Sequence, residues 1–99
     1  MTGTVNFINS QGGSIYFGCY DLSPNLPDTC FKLTGANVRE AVNNGLWQKL
    51  DHGVKVEIVI PKLYYGDGYV YPVAAIRIDG EEFLSFDVGF TNMRNGDYR

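Results

Sequence analysis

Apolar and polar residues alternate along most of this chain with the two-residue period of half-buried strands. Residues 4–8 and 14–17 are two such runs, separated by Asn9, Ser10, Gln11, Gly12 and Gly13. The two glycines can take the positive φ of a tight reversal, so the spacing predicts a β-hairpin whose second strand continues to Tyr20. Pro24 and Pro27, with Asn25 between them, mark residues 21–27 as a loop, because proline cannot donate to a strand ladder. A third strand is predicted over residues 29–33. The clearest strand is 53–60, with Val54, Val56, Ile58 and Ile60 on one face and Lys55 and Glu57 on the other. Pro61 ends it, Gly66-Asp67-Gly68 is a turn, and a fifth strand is predicted over 70–78. Asp79-Gly80 then turns the chain into a sixth strand, 81–88, with Phe83 and Phe86 as apolar cover, and residues 91–99 read as a loose tail.

Only residues 35–50 depart from the strand period. Asn37 with Glu40 three positions later has the form of a capping box, Val38, Ala41 and Val42 share one side, and Gly45 supplies a stop. These features predict a helix of about two turns.

At 99 residues the chain has room for one domain with a modest core. Twelve Gly, seven Tyr and six Phe favour strands and turns over helix, so a mainly β fold is expected. A net charge of −3 removes the general positive field that duplex binding uses, yet leaves room for single strands held by stacking and a few local cations. No run of about 18 apolar residues could span a bilayer, and the first residues lack a basic stretch followed by an apolar one, so a cytoplasmic protein with no membrane partner is expected. Cys19 and Cys30 lack metal or redox spacing and are read as buried free thiols, with a disulfide between them as the alternative.

The order of residues from Gly3 onward resembles the opening of cold-shock domains, Gly-Thr-Val-Lys-Trp-Phe-Asn followed by Gly-Phe-Gly-Phe-Ile. Gly3, Thr4, Val5, Asn9 and Gly13 match, and Phe7, Ile8, Tyr16 and Phe17 are conservative replacements. Asp28, Phe31 and Thr34 are similar to the family's third strand. The segment from Leu50 to Gly53 is similar to the turn before its fourth strand, and Pro72-Val73-Ala74 to its closing strand. This resemblance implies an all-β, five-stranded Greek-key barrel of the oligonucleotide/oligosaccharide-binding type; the short helix predicted over residues 35–50 falls between strands three and four, where cold-shock domains have mostly loop and the broader barrel class often carries a helix. An extra C-terminal strand would complete it. Residues 1–78 would form the barrel and 79–99 an extension of the same domain, with Leu46 and Trp47 plugging the barrel end, or with Trp47 exposed as a binding residue as the alternative.

The family binds unstacked bases on aromatic rings. Its platform carries over as Phe7 for a Trp, Ser14 for a Phe, Tyr16 for a Phe, Cys30 for a Phe and Lys32 for a His, so two rings of five remain. The resemblance therefore implies single-stranded RNA or DNA as partner, with Phe7 and Tyr16 as stacking rings, Lys32 as backbone cation and Asn6 and Asn9 as donors. Tyr64, Tyr65 and Tyr69 in the following loop are candidates to replace the lost rings. The rival expectation is a protein-interaction module or inhibitor on the same barrel, which binds a protein, or a second copy of itself through the C-terminal strand. No nucleophile has a recognisable histidine partner, His52 sits alone in a turn, and Glu81 and Glu82 would point to opposite faces of a strand. An enzyme is not expected, nor a metal or other cofactor.

Overall fold

The computed structural model describes residues 1–23, 30–64 and 70–97, with 64 and 97 by backbone alone. Among these residues seven strands form one mixed sheet: β1 (Thr2–Gln11), β2 (Ser14–Ser23), β3 (Cys30–Leu33), β4 (Lys55–Val59), β5 (Val70–Pro72), β6 (Ala75–Ile78) and β7 (Glu81–Leu84). Their order is β5-β3-β2-β1-β4-β6-β7, with β3 and β5 parallel and every other pair antiparallel. Helix α1 (Gly35–Asn43) and helix α2 (Phe86–Asn92) complete the fold. The protein is mainly β, as the alternation predicts.

One face of the sheet makes the core. Val5, Ile15, Phe17, Phe31, Leu33, Val56, Ile58, Ile76 and Ile78 alternate along their strands and are buried, and the rings of Phe17 and Phe31 meet at 5.5 Å. Gly12 and Gly13 have φ of 61° and 81°, the left-handed region that the hairpin turn requires. At the hairpin's far end the Asp21 carboxylate accepts from the Thr4 N–H at 2.9 Å and from the Thr4 hydroxyl at 3.2 Å. These bonds fasten β1 to β2 beside a register shift.

The predicted fifth strand is two. Val73 and Ala74 interrupt it, because the Val73 N–H donates to the Lys32 carbonyl of β3 while the Ala74 N–H donates to the Val59 carbonyl of β4. One part of the segment therefore pairs with β3 and the other with β4.

The C-terminal region also differs from the sequence expectation. β7 ends at Leu84, and the stretch read as the rest of a strand plus a loose tail is α2 and a further helical turn, 93–97. Ser85 caps α2, its hydroxyl accepting from the Val88 N–H at 3.3 Å, and Asp87 lies in the first turn. Phe86 is exposed and stacked on Phe90 at 5.2 Å, so Met93, buried with Ala74, supplies the apolar anchor instead.

Helix α1 starts earlier than its sequence suggests. Thr34 holds the N-cap position, and the Thr34 carbonyl accepts from the N–H groups of Asn37 and Val38. Asn37 is not a cap; it is buried, donates to the Gly89 carbonyl at 3.2 Å and accepts from the Asn92 side chain at 2.9 Å, which joins α1 to α2. Gly45 stops the helix with φ 93°, as expected. Of the two residues expected to plug the barrel end, Leu46 is fully buried and Trp47 is 46% exposed. The Asn44 side chain donates to the Phe83 carbonyl at 2.9 Å, which ties the end of α1 to the edge strand β7.

Candidate nucleic-acid interface

The outer face of β1, β2 and β3 carries the residues that sequence singles out. Strand register sets them in rows: Asn9 pairs with Tyr16 and Tyr16 with Lys32, while Phe7 pairs with Gly18 and Gly18 with Cys30. Between Val5 and Phe7 the ladder shifts, so Asn6 is the extra residue of a bulge. A bulge places two residues opposite one, and Asn6 and Phe7 both sit over Gly18. A methyl group at position 18 would overlap Cε1 and Cδ1 of Phe7 and lie 2.9 Å from Oδ1 of Asn6. The missing side chain of Gly18 is the space that the Phe7 ring occupies, and the ring remains 41% exposed.

Phe7, Asn6 and Asn9 are exposed, while Tyr16 and Lys32 are half-buried on the same face. Five of the sequence-predicted residues are therefore brought together. The side chain of Tyr64, and Tyr65 and Tyr69 entirely, lie outside the described residues.

Two further residues complete the face. Tyr20 is 55% exposed and follows Tyr16 and Gly18 on alternate positions of β2. It pairs with Thr4, which in turn pairs with Lys55 of β4, so Lys55, Thr4 and Tyr20 form the next row. The signal that finds Tyr20 is the two-residue period counted onward from Tyr16. Tyr16 and Tyr20 are about 13 Å apart along the strand, with the Phe7 ring in the row between them. Lys32 and Lys55 stand at diagonal corners of this patch.

The two cysteines face different surroundings. Cys30 pairs with Gly18 on the outer face, whereas Cys19 is the next residue along β2 and packs against the core. Both thiols are free, and the strand alternation that separates their side chains explains why. Burial, helped by the Asp21 carboxylate, pushes the Cys19 thiol up to about 11. Burial also raises Cys30, partly offset by hydrogen bonds to the Phe31 and Phe17 backbone.

Among the described residues no three His, Cys, Asp or Glu side chains gather as a ligand set for a metal ion, and no helix is long and apolar enough to cross a membrane. His52 is exposed and lies 3.5 Å from Asp51, its neighbour in the turn. What the outer face offers chemically is three rings, two amides and two ammonium groups on a rigid sheet. Comparison of the chain with protein-family models, curated proteins and solved structures returns no match.

Proposed function

We propose that the chain is a cytoplasmic, non-enzymatic protein that binds single-stranded RNA or DNA by stacking bases on Phe7, Tyr16 and Tyr20. The scaffold in this reading is a cold-shock-like barrel of the oligonucleotide-binding type, its fifth strand split into β5 and β6. Two features support the scaffold. The β1–β2 hairpin continues into β3 on one side and β4 on the other, and consecutive residues Val73 and Ala74 bond to β3 and β4 respectively.

The observation that carries the function is the seat of Phe7 on Gly18. A sheet position without a side chain lets the ring rest on the sheet surface with its outer side free, between Tyr16 and Tyr20. Each base stacked on such a ring contributes about 1 to 3 kcal/mol. Asn6 and Asn9 supply donors for base edges, and Lys32 and Lys55 are the cations for the phosphate backbone. Two cations give a shallow salt dependence, a slope of about −1.4 in log K against log salt for a single strand.

Fluorescence anisotropy with labelled oligothymidylate and mixed-sequence single strands tests the reading. Binding that weakens at least tenfold in a Phe7→Ala/Tyr16→Ala double variant is expected. A Kd weaker than about 1 mM at low salt, or binding indifferent to the double variant, overturns the reading in favour of the protein-interaction module.

A further inference from the structure

A cleft of about 290 Å³ lies between the tip of the β1–β2 hairpin and one side of α1. Ile15 of the hairpin, Val38 and Val42 of α1 and Trp47 give it apolar walls. Trp47 is the chain's only tryptophan, and its neighbour Leu46 fills the core while its own indole stays 46% exposed. Val42 beside it is 36% exposed, so folding leaves this surface uncovered. Apolar and aromatic side chains converging on a concavity with a few polar groups at its rim are the common lining of a ligand site.

The rim is polar and carries one charge. Arg39 and Asn43 lie four residues apart, on the same side of α1, and both line the cleft, with Ser10 across from them on the hairpin. Arg39 is exposed and has no acidic partner among the described residues, whose ion pairs are His52–Asp51 and Arg77–Glu82. A guanidinium with no ion pair among the described residues, beside an exposed indole, suits an anion that also carries a flat ring. A nucleotide has both.

We propose that this cleft takes one nucleotide of a bound single strand, its base against Trp47 and its phosphate on Arg39. The proposal rests on the reading of the β1–β3 face as a single-strand platform. Asn9 and Tyr16 make the platform row nearest the hairpin tip, and the adjacent pair, Ser10 and Ile15, faces the other side of the hairpin and lines the cleft. The tip between the two surfaces is Gly12-Gly13, where even an added methyl would meet nothing within 4 Å. In this proposal a strand leaving Tyr16 rounds the open turn to the other side of the hairpin and meets the indole there, which takes a minimum length of strand. Asn43 and Ser10 are placed to donate to or accept from the edge of the base.

The single tryptophan makes the cleft observable apart from the platform. A ladder of unlabelled oligothymidylates from about 2 to about 16 nucleotides, which spans the roughly 4 to 16 that one such barrel covers, is titrated while Trp47 emission is followed. Labelled versions of the same oligomers are followed by anisotropy. Short oligomers are expected to bind without changing the indole emission. Beyond a threshold length, emission is quenched and affinity rises about tenfold. Arg39→Ala, at an exposed position, is expected to remove that length-dependent gain and leave the short oligomers unchanged. Anisotropy changes without quenching at any length overturn the cleft and leave the platform standing. An Arg39→Ala variant that keeps the gain also overturns it, as does quenching by an acidic peptide and by no oligomer. No anisotropy change with any oligomer overturns the platform and the cleft together.

Discussion

Val73 and Ala74 are neighbours in the chain, and their backbone N–H groups reach opposite parts of the sheet: the Lys32 carbonyl on β3 at 2.9 Å and the Val59 carbonyl on β4 at 2.8 Å. Both residues are buried. β3 and β4 are separated in the sheet order by β2 and β1, so these two bonds link strands that the ladder alone keeps apart. Ala74→Pro removes one of the two donors and leaves the Val59 carbonyl unmet. Because a backbone hydrogen bond contributes about 0.5 to 1.5 kcal/mol net, the urea midpoint of this variant is expected to fall by at least that equivalent.

Helix α2 lies directly on the same junction. A methyl group at Gly89 would overlap the Ala74 carbonyl oxygen and lie 2.7 Å from the Ala74 carbonyl carbon. In an isolated helix Gly→Ala is favourable by about 1 kcal/mol, but the obstacle here is backbone, and overpacking costs about 1 to 3 kcal/mol or more. Gly89→Ala is therefore expected to destabilise, with amide exchange in residues 86–92 accelerated more than in β1 and β2. Asn37→Ala, which removes the bonds to Gly89 and Asn92, is expected to loosen the same segment. Equal acceleration everywhere would show that α2 has no separate docking contribution.

Gly18 separates binding from stability. The atoms that a methyl at this position would meet first belong to the Phe7 ring, a side chain able to swing outward. Gly18→Ala is expected to lower single-strand affinity about tenfold through displacement of the Phe7 ring. Its urea midpoint should move by less than about 1 kcal/mol equivalent. A stability loss as large as that of Gly89→Ala would mean that Phe7 is held as structure and not presented as a surface.

Cys19 ties stability to alkaline pH. Its thiol is raised from 9.0 to about 11 by burial and by the nearby Asp21 carboxylate. The folded chain thus keeps a proton that the unfolded chain releases first, and stability falls as pH rises from about 9 to about 11. Below pH 9 both states are protonated and the group makes no pH-dependent contribution. Wild type and Cys19→Ala, compared by urea unfolding across pH 8 to 11, are expected to converge toward the alkaline end, and parallel curves would contradict the assignment.

The hairpin, β3, β4 and the Gly45 stop were legible because each is written in local chemistry: period-two alternation, glycines at positive φ, and β-branched residues on one face. That Phe7 and Asn9 share one side of β1 was legible for the same reason, as were the outward positions of Tyr16 and Lys32, since alternation places every second side chain on one surface. Tyr20 was within reach of the same count. The bulge at Asn6 was not, because nothing in the residues of β1 alone states that Gly18 will stand opposite two of them. The strand pattern of residues 81–88 was misleading past Leu84, where Ser85 as a cap and the fit of Gly89 on Ala74 favour helix over a pattern that suits either.

By itself the sequence determines a β-rich chain, the hairpin turn, the existence of the central strands and the inward and outward sides of each, since these follow from side-chain period and backbone sterics over a few residues; β1 and β2 run further, to Gln11 and Ser23, because pairing extends them beyond the alternating runs. Tertiary structure alone decides that Val73 and Ala74 divide one strand between two partners, that Asn37 joins two helices, that Leu46 is buried while Trp47 borders a cleft, and that Phe7 rests on Gly18. Each of these depends on a contact between residues distant in the chain, and no local pattern encodes the identity of the other partner.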